Sequence, residues 1–375
     1  MMRPLLIIGI AYFLSACSQD GLQAQVAEPV AEDKSLETTQ TLALLDSDTV
    51  PANKHKDLSD NLHKNDQSFK TSYAAQPDVQ AFINKMVDNH QYDGALLQAA
   101  FSKIQPRKKT ISKSNNQPEV ITPYYKYRTR FVETSRIREG KRFIKKHKVW
   151  LAKAQKEYGV NPEIIAALIG VETFYGRITG KKDVFTSLAT LSFDYPRRAQ
   201  YFQSELEAYL LLARENEWQI GNTKGSYSGA LGMTQFMPSN YRKLAVDFDE
   251  DGTIDLWQSV PDAIGSVANY LRHHGWQDDR GIIVAAKAHE PSKKQWQEWI
   301  NKGRKPAKSL SEWQAIGVGK GIDTLSDQTG LIGLQVGNAK YNYWLADENF
   351  FVIMRYNPSR RYSMAVLELA EEIRL

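Results

Sequence analysis

The sequence predicts a mainly α protein of the α+β kind: a helical core, a helical region before it, and a small β insertion. Three observations carry this expectation. From Tyr124 to Asn269 apolar residues recur at spacings of three and four, the period of a helix with one buried face. From Ile282 to Met354 the texture changes to the short runs GIIVAAKAH, GLIGLQVG and FFVIMRY, separated by polar and glycine-containing turns, as in strands. Helical spacing then returns in RYSMAVLELAEEIRL.

Taken in order, residues 1–17 (MMRPLLIIGIAYFLSAC) show Arg3, an apolar run from Leu5 to Leu14 and small residues before a cysteine. The run is too short for a permanent bilayer span and reads as a secretory signal. Leu14-Ser15-Ala16-Cys17 resembles a bacterial lipobox, which makes Cys17 the candidate lipidation site. Cys17 is the only cysteine, so the exported chain builds no internal disulfide. Ser18 follows it where Asp would resemble an inner-membrane retention signal, so the expected location is the periplasmic face of the outer membrane. Residues 18–70 are polar and poor in aromatics, the composition of a disordered tether.

A helical core is expected over 71–281. It opens with DVQAFINKMV and passes a polar, basic stretch, Gln105 to Pro118, that reads as a surface loop. FIKKHKVWLAKAQKEYGV carries an apolar stripe stopped by Gly159. PEIIAALIGVETFYG follows, with Asn161 at the N-cap and Pro162 at the first helical position. Further helices are YFQSELEAYLLLAREN and VPDAIGSVANYLRHHG. A β-rich subdomain is expected over 282–354 and a helix returning to the core over 355–375.

With 42% hydrophobic residues the 375-residue chain can bury a substantial core. Its 8 Trp and 18 Tyr suit a sugar-binding cleft, although cores use the same side chains. A net charge of +5, with no clustered Lys/Arg face in the sequence, fits attraction to an anionic polymer and argues against nucleic acid.

In the helix after Pro162, Ile165, Leu168, Ile169 and Glu172 share one face, so a carboxyl continues an apolar stripe at a helix end. Desolvation and the negative end of the helix dipole both favour its neutral form, the form a general acid needs. From this helix alone, a buried Glu paired with Arg177 or Arg197 is an equal reading. Asp247-Phe248-Asp249-Glu250-Asp251-Gly252-Thr253 places oxygen ligands at alternate positions with Gly at the sharp turn, the opening of an EF-hand loop suited to Ca²⁺. Gln258 stands where the bidentate Glu of such a loop belongs.

IGVETFYGR, TLSFDYPRRAQYF, GSYSGALGMTQFMPSNY, DAIGSVANYL and RYNPSRRYSMAV, in that order, resemble the lytic murein transglycosylase B family, from about Pro77 onward. The resemblance implies a lysozyme-like helical core and cleavage of the β-1,4 bond between N-acetylmuramic acid and N-acetylglucosamine, forming 1,6-anhydro ends. Glu172 matches the catalytic Glu, acid then base. Arg197, Arg198, Ser226 and Gln235 match substrate-contacting positions. Tyr127, Tyr201, Tyr270, Tyr356, Asn357 and Tyr362 match cleft positions that stack on or bond to sugars. The family closes its calcium loop with a later Asp, matched here by Asp262. The expected ligands are therefore Asp247, Asp249, Asp251, Thr253 and Asp262 around a structural Ca²⁺, with no organic cofactor. The partners implied are peptidoglycan glycan strands, the outer membrane through the lipid anchor, and cell-wall synthesis or remodelling proteins. A hydrolytic muramidase and a non-catalytic murein-binding scaffold are the rival readings.

Overall fold

The structure is a computed structural model and describes residues 72–115, 122–278, 280–286, 296–325 and 327–375. The signal, Cys17 and the 18–70 tether lie outside the described residues.

Two helices, α1 (Pro77–His90) and α2 (Gly94–Ser102), open the fold. Pro77 starts α1, and the Asp93 side chain accepts from the Ala95 and Leu96 amides to start α2. The stretch read as a loop contains a third helix, α3 (Lys108–Asn115). Its apolar face is only Thr110 and Ile111, too short for a periodic signal, yet Thr110 is buried and α3 packs on a core helix. Tertiary contact decides helicity here where the sequence could not.

The core helices are α4 (Thr134–Lys146), α5 (Lys148–Tyr158), α6 (Pro162–Thr173), α7 (Val184–Phe193), α8 (Ala199–Glu215), α9 (Pro238–Leu244) and α10 (Val260–His273). α6 is the axis: α4, α5, α10 and the C-terminal helix α13 (Arg360–Ile373) all pack against it. Every residue from Ile164 to Val171 is buried, so α6 is apolar all round rather than striped. A short antiparallel pair, β1 (Lys182–Asp183) with β2 (Lys224–Gly225), has no counterpart in the sequence reading.

The expected β subdomain is a four-stranded antiparallel sheet in the order β3-β6-β5-β4: β3 (Ile283–Ala285), β4 (Lys308–Ser309), β5 (Gln328–Gly337) and β6 (Lys340–Ala346). A short helix α11 (Leu310–Ala315) joins it, and Trp296, Trp313, Val318, Leu331 and Leu345 form its own small core. FFVIMRY is not a strand. It forms most of α12 (Glu348–Tyr356), started by Asp347, whose side chain accepts from the Glu348 amide. Residues 349–354 are all buried, and a helix enclosed on every side lacks the amphipathic period that separates it from a buried strand.

Candidate active site

The site is built at the end of α6, where Glu172 stands half-buried while its neighbours Val171 and Thr173 are buried. The helix stops abruptly: Phe174 and Tyr175 adopt φ of 53° and 58°, the left-handed region, and Gly176 follows. Two non-glycine residues there cost about 1 to 3 kcal/mol each, so surrounding contacts must hold the turn. Thr173 Oγ1 donates to the Met233 carbonyl at 3.0 Å and accepts from the Gly176 amide at 3.0 Å. The Tyr175 ring folds back over Gly170, where a Cβ would lie 2.6 Å from the ring, so that close approach requires glycine.

Glu172 Oε1 accepts a 2.5 Å hydrogen bond from the Tyr362 hydroxyl, brought in by the first turn of α13. Arg177, the nearest basic residue in sequence, pairs with Glu139 at 2.7 Å. The first two acids that follow it in the chain are engaged elsewhere. Asp183 caps α7 through the Thr186 amide, and Asp194 accepts from the Tyr73 hydroxyl.

Beside this helix end, joined to it through Thr173 and Met233, lies a wall, the turn from Gly225 to Phe236. Ser226 Oγ accepts from the Ala230 amide at 2.9 Å. Gln235, at φ 51°, donates to the carbonyls of Thr179 and Gly232. Gly180 (φ +101°) lets this wall close, since a Cβ there would lie 2.0 Å from the Gly225 carbonyl oxygen, beside Ser226.

Of the five tyrosines expected to meet sugar, three are closed off: Tyr127, Tyr270 and Tyr362 are 1%, 4% and 2% exposed. The expected ring stacking is corrected for these three, because a buried ring has no free face. Tyr362 instead holds Glu172, and Tyr270 donates to the Arg355 carbonyl at 2.7 Å. Tyr356 is half-buried and donates to the Thr234 carbonyl at 2.6 Å, tying α12 to the wall. Burial first, and then the Glu172 charge, push the Tyr356 and Tyr362 hydroxyls well above the ordinary range, so both remain donors. Tyr201 and Asn357 are half-buried. The arginine pair splits: Arg197 is exposed, whereas Arg198 lies 4.2 Å from the Tyr201 ring centroid.

Two residues escaped the sequence reading. Glu205 is buried under α9, accepting from the Ser239 amide and hydroxyl at 3.0 and 2.7 Å, and burial pushes its carboxyl up. Its signal was a carboxylate on the apolar face shared with Phe202, Leu206 and Tyr209. His274 packs 4.3 Å from Tyr270, and burial, then His273 and Arg355, lower its pKa to about 4. The unfolded chain, with the ordinary value of 6.5, therefore takes up its proton first as pH falls. Stability is complete above pH 6.5 and falls towards pH 4 by about 3 kcal/mol. His274→Asn is expected to flatten this slope in melting temperature against pH; an unchanged slope would assign it to other groups.

The acidic loop gathers Asp247, Asp249 and Asp251, with one carboxylate oxygen from each within 4.8 Å of the others. Asp249 Oδ1 is buried with no hydrogen-bond partner, as expected of an oxygen meant for a cation. Asp262 lies outside this cluster. It is fully buried near the start of α10, and its two oxygens accept from the Phe248 and Asp255 amides at 2.8 Å each. Asp262 therefore braces the loop backbone, close enough to the cluster for the Asp249 and Asp247 charges to act on it. Thr253 donates its amide to Asp251.

A buried central helix ending in a half-buried Glu, beside a glycine-punctuated turn, defines a lysozyme-like enzyme of polysaccharide cleavage. Residues 74–371 match the family model described as the transglycosylase SLT domain. The chain belongs to the lytic murein transglycosylase B family, lyases that act on peptidoglycan. It is 39% identical over 313 residues to the membrane-bound lytic murein transglycosylase B of Escherichia coli, covering 81% of this chain and 84% of that one. The E. coli lytic transglycosylase SLT35 in complex with bulgecin A superposes with a TM-score of 0.73 at 40% identity, covering 80% and 94%. SLT35 has also been crystallised with calcium. The soluble lytic transglycosylase SltB1 of Pseudomonas aeruginosa gives 0.72 at 41% identity, covering 79% and 98%.

Proposed function

We propose that the chain cleaves the β-1,4 bond between N-acetylmuramic acid and N-acetylglucosamine with Glu172 as its single acid and base. Glu172 gives its proton to the bridging oxygen as the C1–O bond breaks. The carboxylate then takes the proton of the muramic acid 6-hydroxyl as its oxygen bonds to C1, so the proton count closes and no water is consumed. The observation that carries this is the pairing of Glu172 with a neutral donor, Tyr362, while Asp183 and Asp194 are committed to other partners. Hydrolysis with two carboxylates needs a second acid placed to activate water or to attack. Ser226, Gln235, Tyr201, Tyr356, Asn357 and the two arginines are the groups offered to the strand. Mass spectrometry of digested sacculi is expected to find 1,6-anhydro ends; reducing ends alone make the protein a muramidase.

Asp247, Asp249, Asp251 and the Thr253 carbonyl would hold a structural Ca²⁺, which neutralises a carboxylate cluster and takes no part in the reaction. We place the enzyme on the periplasmic face of the outer membrane through lipid at Cys17. Among the described residues no helix is long and apolar enough to cross a membrane. A palmitate analogue is expected to label the wild type and not Cys17→Ala; equal labelling sinks the anchor.

A further inference from the structure

Away from Glu172, the molecule carries a concave basic pocket of about 860 Å³ between the N-terminal region and α3. Arg107, Lys108, Lys109, Lys113 and Lys182 line it, and no Asp or Glu among the described residues does. Among the described residues no carboxylate pairs with Lys109, Lys113 or Lys182, and all three are exposed. Like charges gathered without counterions repel, and an anionic ligand relieves that repulsion. The pocket is built rather than incidental. Arg107 roots α3 on the core, its Nη1 donating to the Asp183 carbonyl and Ser187 hydroxyl at 3.3 and 3.2 Å. Its floor is partly apolar, with Ile104 buried, so it suits a ligand carrying both carboxylates and small aliphatic groups.

Its position relative to the cleft is set by two adjacent residues. Lys182 pairs across β1–β2 with Gly225, immediately before Ser226 of the site wall. Tyr227, immediately after Ser226, lines the pocket, and Lys113 Nζ lies 5.6 Å from its ring centroid. The wall of the cleft is therefore the rim of the pocket, and a strand lying against Ser226 presents its substituents there.

We propose that this pocket binds the carboxylates of the stem peptide carried by the glycan strand that lies against Ser226. The inference rests on the peptidoglycan reading above. A concave, partly apolar pocket continuous with the cleft favours a short peptide over a lipid surface, which a flat basic face would suit better.

The test is binding to the full chain carrying Glu172→Gln, so that no turnover intervenes. The probes are a murein disaccharide-tetrapeptide, the same fragment with amidated carboxylates, and the peptide-free disaccharide. Lys109→Ala/Lys113→Ala/Lys182→Ala is expected to weaken the tetrapeptide fragment about tenfold at low salt, the order expected of three exposed charge pairs. The amidated and peptide-free probes are expected to bind both proteins equally, and the triple Lys→Arg variant to restore affinity. Equal tetrapeptide affinity in both proteins, or an equal loss for the peptide-free disaccharide, overturns the proposal. So does loss of phosphatidylglycerol-vesicle binding with tetrapeptide affinity unchanged, which would make the pocket a membrane contact. Sacculi yielding only reducing ends would instead refute the transglycosylase chemistry and leave these affinities standing.

Discussion

Glu172→Gln is expected to lower the release of soluble fragments from sacculi by about 10⁴-fold, the upper end of what a general acid–base contributes. In the proposed mechanism one group serves both steps, so the full effect is expected, since Gln neither yields a proton near neutral pH nor takes one back. The amide keeps the size of the side chain, and its carbonyl can still accept from Tyr362, so melting temperature and strand binding should hold. Turnover above a tenth of wild type would move the acid to another residue and favour a scaffold role for this one. Tyr362→Phe reads the same hydrogen bond from the other side. A donor to a carboxylate stabilises its charged form, so removing it raises the carboxyl's pKa. The alkaline limb of kcat/KM should then move to higher pH, which loss of packing alone would not do.

Asp262→Ala is expected to be the most damaging single change outside the cleft, costing about 3 to 5 kcal/mol. The buried carboxylate satisfies the Phe248 and Asp255 amides together, and its removal leaves both without an acceptor. Melting temperature should fall on the order of 10 °C, equally with calcium and with chelator. Asp249→Ala should behave in the opposite way. It leaves the chelator-treated protein nearly unchanged, since three crowded carboxylates lose one charge, but it abolishes the gain on adding Ca²⁺. For the wild type that gain is about 2.7 kcal/mol at a hundred times the dissociation constant. A calcium-dependent loss at Asp262 would restore it as a ligand, and no calcium response in the wild type would remove the ion altogether.

Much of the architecture was legible because the signals were local. Pro162 and Gly159 mark their helix ends by backbone chemistry that needs no neighbour. The alternating oxygens from Asp247 to Thr253 point to the carboxylate cluster of Asp247, Asp249 and Asp251 within a few residues. Glu172 stood out as a carboxylate continuing an apolar run. The misreadings share one cause, which is that burial on every side, or contact from a distant element, leaves no periodic trace. FFVIMRY became α12 because the core encloses it completely, and Lys108–Asn115 became α3 because it leans on α7. The absence of a clustered basic face was a property of the sequence only. Lys109, Lys113 and Lys182 meet in space although about 70 residues separate the first and last, as their numbers show.

The linear order of side chains by itself determined the helical class and the family and singled out Glu172 as the candidate acid, because propensity, end signals and motif spacing act over a few residues. Only the tertiary structure decided which tyrosines are enclosed and which one holds Glu172, that Asp262 accepts from the loop backbone, and where lysines converge. Those outcomes depend on burial and on contacts between residues far apart in the chain, and neither exists until the helices have packed.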